Sequence, residues 1–299
     1  MKRILVTGAS GLLGSRLFEI LSKDHDVTPT DVIPVPKPQA HAGFVKMDIS
    51  DRDEVFRVLR EFSPAVVVHA AAATNVDKCE TDKEWAKAIN SVGTRNVAEG
   101  SAKIGAKLIY ISTDYIFDGE KGYYTEEDKP NPVNHYGLTK LEGEEHVEEA
   151  CEAFAIARTS VPYGWHLKKL NFATWIIDSL TKRKKITVVS DHYNSPTFTD
   201  LLAETIQRIV QKDFQGIFHV SGSESINRYD FALRIADVFG LDDSLIAPTK
   251  MTDLKAWIAR RPRDSSLCVN KIEETLQIKL PSVVESLKRM KESQPAEHN

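Results

Sequence analysis

MKRILVTGASGLLGSRLFEIL, residues 1–21, carries the strongest architectural signal in the 299-residue chain. An apolar β-type run from Ile4 to Val6 meets Gly8, Gly11 and Gly14 and passes straight into an amphipathic stretch. Glycines at a strand-to-helix turn let backbone N–H groups approach a diphosphate, and the positive end of the helix dipole holds that charge. Glycines also simply make turns, so their spacing alone is weak. The strand before and the helix after supply the context that a dinucleotide fingerprint requires. Cofactor contacts are therefore expected at Gly8, Gly11, Leu12, Leu13 and Gly14.

Outward from this turn, strand-like runs recur near residues 3–7, 26–31, 43–48, 65–70, 107–112 and 153–158, with helical periodicity filling much of the space between them. That alternation predicts an α/β fold, a Rossmann-type doubly wound parallel sheet covered on both faces by helices. Ligands of such sheets bind beyond the carboxyl ends of the strands. Residues 1–158 are expected to form an NAD(P)-binding domain. After Arg158 the pattern loosens, with Pro162, Pro196, Pro248, Pro262 and Pro281 punctuating shorter elements. Residues 159–299 should form mainly a smaller mixed α/β substrate-binding lobe, with a segment near 195–220 returning to the main sheet.

The second run ends at Asp31, where an acidic group can meet the adenosine ribose. Such a carboxylate repels a 2′-phosphate and slightly favours NAD(H). Arg16, just beyond Gly14, points the other way and keeps NADP(H) open. Asp48 and Ile49, closing the third run, are placed near the adenine. VVVHAAAAT, residues 66–74, reads as a buried strand running into small residues. Ala70, Ala71 and Ala72 could let a cofactor lie close to the backbone, although tight helix packing explains each alanine equally well. A long helix is expected from about 82 to 104, with Asn90 facing either the site or water.

In YGLTK, residues 136–140, Tyr136 and Lys140 are one helical turn apart and share a face. A cation beside a phenol favours phenolate, which would draw the tyrosine down from its usual value of about 10. Such a pair also occurs by chance on solvated helices. Here LIYIST, a strand-like run ending at Thr113, precedes it.

Taken in order, TGASGLLG, HAAAATNVDKCE, YISTDYIFDG and YGLTK resemble the extended short-chain dehydrogenase/reductase family. Within it, STDYIFDG, VDKCE, NSPTFTDLLA (194–203) and ARRPRDSSL (259–267) look most like the dTDP-4-dehydrorhamnose reductases, so that the resemblance covers nearly the whole chain. It implies Tyr136 as proton donor, Lys140 as its activator and ribose ligand, and Thr113 as the hydroxyl bonded to the reacting oxygen. Ser112 is the neighbouring alternative, but strand alternation sends the two side chains to opposite faces. The resemblance also implies that Asp114 and Tyr115 line a sugar pocket. Hydride would pass from the nicotinamide to the 4-keto carbon of a nucleotide-linked 6-deoxysugar while Tyr136 protonates the oxygen.

One departure stands out. Where those reductases carry a tryptophan after the Arg-Thr-Ser segment, this chain has Val161 and Pro162, and Trp165 comes later. The chain is also similar to the regulatory β subunit of methionine adenosyltransferase, which implies a non-catalytic, partner-binding alternative. A nucleotide-sugar epimerase shares the glycine turn and the Tyr-Lys pair and is a further alternative. Dehydratases of the family typically carry glutamate where this chain has Tyr115, so the base for water elimination is missing.

Arg261, with Arg260 and Arg263, could grip a substrate diphosphate, or could equally tie a loop to carboxylates. Asn134 is expected to cap the helix that carries Tyr136, and His135 to lie at the surface. A net charge of −4 and a pI near 6.2 give no general attraction to nucleic acid. The KRKK run (182–185) reads as a solvated helix end. Cys79, Cys151 and Cys268 form no CxxC pair and the nine histidines no HExxH motif, so no metal is expected. No apolar run approaches the roughly 18 residues needed to span a bilayer, and the start lacks a secretory pattern. A cytoplasmic protein acting on a small-molecule nucleotide sugar, without nucleic acid or membrane partners, is expected, with a homodimer left open.

Overall fold

Alternate residues of the first strand feed opposite layers: Ile4 and Val6 join one apolar cluster and Leu5 the other. That is why its sequence is apolar throughout instead of alternating. The computed structural model describes residues 1–33, 43–166, 170–254 and 256–295. Its first half contains β1 (Arg3–Thr7), α1 (Leu12–Leu21), β2 (Asp26–Asp31), β3 (Val45–Lys46), α2 (Arg52–Phe62), β4 (Val66–His69), α3 (Val76–Thr81), α4 (Lys83–Lys87), α5 (Thr94–Lys103), β5 (Lys107–Thr113), α6 (His135–Ala150) and β6 (Phe154–Thr159). The second half adds β7 (Pro162–Tyr163), α7 (Phe172–Thr181), β8 (Ile186–Val189), β9 (Tyr193–Asn194), β10 (Thr197–Phe198), α8 (Thr199–Lys212), β11 (Gly216–His219), β12 (Ile226–Asn227), α9 (Arg228–Phe239), β13 (Ile246–Thr249), α10 (Asn270–Leu276) and α11 (Val283–Glu292).

Among the described residues, seven strands form one parallel sheet in the order β11-β6-β5-β4-β1-β2-β3. The chain runs outward from β1 in one direction and returns to β4 to run in the other. The crevice beyond β1 and β4 is thus the switch point where such sheets take ligands. The lobe beside it mixes small parallel pairs, β7 with β10 and β8 with β13, with the antiparallel pair of β9 and β12.

The helix expected over 82–104 is interrupted. Between α4 and α5 the segment Ala88–Gly93 winds as a π-helix. The wider turn accompanies Asn90, whose side chain leaves the helix to bond Ala73 N (2.8 Å), Ala73 O (3.1 Å) and the Thr139 hydroxyl (3.1 Å). Helical periodicity in sequence cannot register one inserted residue, and such bulges often sit at functional sites. The 182–185 lysine-rich run is an exposed turn after α7, with Lys182 paired to Asp178 at 2.6 Å. Among the described residues no helix is long and apolar enough to cross a membrane.

Candidate active site

Gly8 adopts φ +68, and a Cβ there would lie 2.6 Å from the Ala71 nitrogen. A Cβ on Gly14 would lie 1.9 Å from the Gly8 carbonyl oxygen. Only glycine satisfies both the left-handed turn and this approach. Gly11 is the N-cap of α1 and makes no side-chain cap, so the first N–H groups of the helix keep their capacity for an anion. Leu13 itself is buried in the core, so that it can offer a ligand only its backbone. On the other side of the crevice, Ala70 and Ala71 follow β4 and donate to the Thr7 carbonyl and hydroxyl. His69 lies beneath them, between the Thr7 hydroxyl (2.7 Å) and the Thr94 hydroxyl (3.1 Å). Burial, and then the Lys140 charge, lower its pKa to about 3, so it is a neutral core histidine.

Asp31 closes β2 beside the glycine turn. Its carboxylate accepts from the N–H groups of Ser10 (3.0 Å), Val32 (2.7 Å) and Ile33 (3.3 Å). Arg16, just beyond Gly14, is engaged within the protein. It forms a two-pronged pair with Asp200 of α8, both contacts at 2.7 Å, and also meets Glu19. Asp48 caps a local turn through Ser50 (2.9 and 2.7 Å), and Ile49 is buried against α5 and its π segment. An adenine near this pair would therefore meet a turn already held by its own hydrogen bonds.

Helix α6 begins with Asn134, whose Oδ1 accepts the Gly137 N–H at 2.9 Å. Its Nδ2 reaches the Arg260 carbonyl at 2.8 Å and ties the helix start to the distant arginine loop. His135 donates its N–H to Glu80 at 2.9 Å. These contacts set Tyr136 at the carboxyl end of β5, with Thr113 turned toward the phenol. Ser112, pointing the other way, has no hydrogen-bond partner for its hydroxyl among the described residues.

The phenol does not behave as the Tyr-Lys spacing suggests. Burial raises the Tyr136 pKa above its ordinary value, the Thr113 hydroxyl opposes this, and Asp114 raises it further. Lys140 instead donates to the Ile111 carbonyl at 2.7 Å and lies 4.0 Å from the centroid of the Tyr110 ring. Burial lowers the Lys140 pKa to about 7, with Glu144 pulling the other way. The spacing argument omitted desolvation, which is the largest influence on both groups. The protein groups thus keep the proton on Tyr136.

Asp114, expected to line a sugar pocket, is an internal hub. It is buried and accepts from Thr113 (3.1 Å), Ser160 (2.9 Å), Ser265 (2.5 Å) and Asn194 (3.4 Å). Burial raises its pKa, against the pull of those hydroxyls. Tyr115 stands edge-on to Tyr136, ring centroids 5.8 Å apart. Arg261 adopts the loop-tying role: it pairs with Asp77 at 2.9 Å and caps the Ala259 carbonyl at 2.8 Å. Trp165, the displaced tryptophan, donates its indole N–H to the Met290 carbonyl at 2.7 Å and packs against Phe239. Sequence reasoning missed Arg228 and His192, which face Tyr115 and Arg261 from the second lobe. The available signal was an arginine placed directly after a helix cap, in NRYDFA. Among the described residues no cluster of His, Cys, Asp and Glu is arranged to hold a metal.

Residues 1–294 match the family described as RmlD substrate binding domain. The chain is 34% identical over 279 residues to methionine adenosyltransferase 2 subunit beta of Rattus norvegicus, covering 91% of this chain and 82% of that protein. It is 32% identical over 287 residues to the probable low-salt glycan biosynthesis reductase Agl14 of Haloferax volcanii, covering 94% and 95%. Among solved structures, dTDP-4-dehydrorhamnose reductase from Bacillus anthracis str. Ames in complex with NADP is similar with a TM-score of 0.90. That match has 33% identity and covers 98% of this chain and 99% of that one.

Proposed function

We propose that this chain, which belongs to the RmlD substrate binding domain family, is a nicotinamide-dependent oxidoreductase that reduces the keto group of a nucleotide-activated sugar. The 4-keto group of a 6-deoxysugar is the finer assignment. The observation that carries it is a half-buried Tyr136, with its pKa raised, facing Thr113 at the carboxyl end of β5. Thr113 ends β5 at the same carboxyl edge of the sheet at which β1 runs into Gly8 and β4 into Ala70 and Ala71.

The turn suits a dinucleotide: Gly8 and Gly14 let it close tightly against its own backbone, and the start of α1, without a side-chain cap, offers N–H groups to a diphosphate. When bound, a reduced nicotinamide supplies the hydride. Thr113 orients the substrate carbonyl, and Tyr136 delivers its proton to the carbonyl oxygen as negative charge develops there. A raised pKa suits this direction, because the donor holds its proton at neutral pH. Lys140, held by the Ile111 carbonyl, would bind the ribose of a dinucleotide.

Asp31 favours NAD(H) over NADP(H), and Arg16, engaged by Asp200, no longer argues against it. Asp31→Ala should relax discrimination between the two cofactors. An unchanged ratio of kcat/KM for NADH and NADPH would show that Asp31 only holds the turn.

Purified protein given NADH or NADPH and dTDP-4-keto-6-deoxymannose should consume the reduced cofactor, read as falling absorbance. The similarity to a methionine adenosyltransferase subunit favours a second reading as a partner-binding subunit. No cofactor consumption, combined with tight binding to a methionine adenosyltransferase catalytic subunit, would decide for that reading.

A further inference from the structure

Thr7, His69 and Tyr110 are in-register partners on β1, β4 and β5, so their side chains form a row across one face of the sheet. His69 is the middle member and is fully buried. Its ring stacks on Tyr110 with centroids 5.4 Å apart, and the Lys140 ammonium lies 4.0 Å from the centroid of that same Tyr110 ring. Gly143 of α6 makes room for the stack, because a Cβ there would collide with the Tyr110 hydroxyl. A buried imidazole is ordinary core filling unless its hydrogen bonds lead somewhere.

The bonds around His69 have one consistent direction. The Thr94 hydroxyl has a single proton, which it gives to the Asn90 carbonyl at 2.7 Å. It therefore accepts from His69 Nε2 at 3.1 Å, which assigns the ring proton to Nε2. Nδ1 is then an acceptor and takes the Thr7 hydroxyl proton at 2.7 Å. Thr7 in turn accepts the Ala71 N–H at 3.2 Å, beside Gly8. From Asn90 the chain runs on: its Nδ2 donates to the Thr139 hydroxyl at 3.1 Å, and that hydroxyl donates to the Tyr136 carbonyl at 3.0 Å. A continuous series of contacts thus leads from the last residue of β1, next to the glycine turn, through the π segment to the helix that carries Tyr136 and Lys140.

We infer that His69 is a positioning residue. It holds the glycine turn and the Tyr136 helix in one register, through Thr94 and Asn90 by hydrogen bonds and through the Tyr110 ring beside Lys140 by stacking. This inference rests on the reductase reading. Hydride and proton must reach one carbonyl group in a single geometry; the turn places the source of the first and α6 places the source of the second. A neutral imidazole suits the link, because Thr7 needs an acceptor and Thr94 a donor, and one ring supplies both at fixed separation.

The test is steady-state kinetics of the full chain with hydrogen exchange alongside. His69→Phe keeps a ring against Tyr110 and removes both nitrogens. Keto-sugar turnover per folded molecule should fall roughly tenfold to a hundredfold, the scale of a displaced reacting group, with the substrate KM near its wild-type value. Thr94→Val should give a similar loss, and Thr94→Ser, which keeps the hydroxyl, should recover most of it. The threonine pair is the readout where the phenylalanine variant does not fold. His69→Phe combined with Thr94→Val should be no worse than either alone, as members of one chain are. A merely structural histidine would lower the urea midpoint and leave kcat of the folded protein unchanged. Wild-type kcat in the folded variants, or losses that simply multiply, would overturn the assignment. Should the wild type reduce no keto sugar, the reductase reading falls by itself and hydrogen exchange decides the coupling. His69→Phe or Thr94→Val then speeds amide exchange over residues 136–140 if the chain reaches α6, and a wild-type rate there sinks the inference.

Discussion

Tyr136→Phe should lower turnover by about 10²–10⁴-fold, the range typical for loss of a general acid. Only the hydroxyl is removed. The ring keeps its edge contact with Tyr115, so packing is preserved. The glycine turn and Asp31 are untouched, and cofactor affinity should stay at the wild-type level. A loss confined to kcat, with cofactor binding intact by fluorescence titration, is therefore the expected pattern. A variant with near wild-type turnover would remove Tyr136 from the chemistry. The direction of the phenol's pKa adds a second readout. Because burial raises it, the proton is retained from neutral pH to above the ordinary tyrosine value of about 10. Keto reduction should show no loss assignable to Tyr136 across that window. Activity falling with a midpoint well below 10, and absent from Tyr136→Phe, would mean that the phenol is not held as described.

Glu144→Ala should destabilise the fold by about 3–5 kcal/mol, the usual cost of stranding one partner of a buried ion pair. Glu144 and Arg158 are 2% and 3% exposed at their side chains. The guanidinium Nε lies 3.0 Å from Oε1, and Nη2 lies 2.7 Å from Oε2. This fork joins α6, which carries Tyr136 and Lys140, to β6 of the central sheet. Alanine leaves a guanidinium in the interior without its counter-charge. Urea unfolding followed by circular dichroism should show a lower midpoint with an unchanged m-value. A shift worth less than about 1 kcal/mol, typical of exposed pairs, would show that water reaches the site. Glu144 is also the charge that opposes the lowering of the Lys140 pKa, so its loss should drive Lys140 further toward the neutral amine.

The glycine turn, the six strand-like runs of the first half and the placement of Thr113 at a strand end and of Tyr136 and Lys140 on one helix were legible because each rests on local rules. Strand and helix have different periods, a left-handed turn selects glycine, and i and i+4 share a helix face. The return of Gly216–His219 to the sheet edge follows from the same alternation. The Asn134 cap was also legible, since short polar side chains at helix starts have few other uses, whereas Asn90 stayed open between the site and water.

What the chain did not reveal by itself depends on burial and on meetings between distant residues. The helix between residues 82 and 104 widens into a π turn because Asn90 must reach Ala73 and Thr139, a demand made by packing and invisible in periodicity. Arg16 is claimed by Asp200, Arg261 by Asp77, and Asp114 by the hydroxyls of Ser160 and Ser265 from two other segments. None of these pairings can be read from spacing. The spacing of Tyr136 and Lys140 correctly brought two groups to one helix face, but the sign of the phenol's shift was set by desolvation. Sequence determined the order of elements and the residue types at the crevice, because those are encoded by neighbours along the chain. Tertiary structure alone decided which charges are neutralised by which partners, because that depends on what the fold brings together and how much water it leaves there.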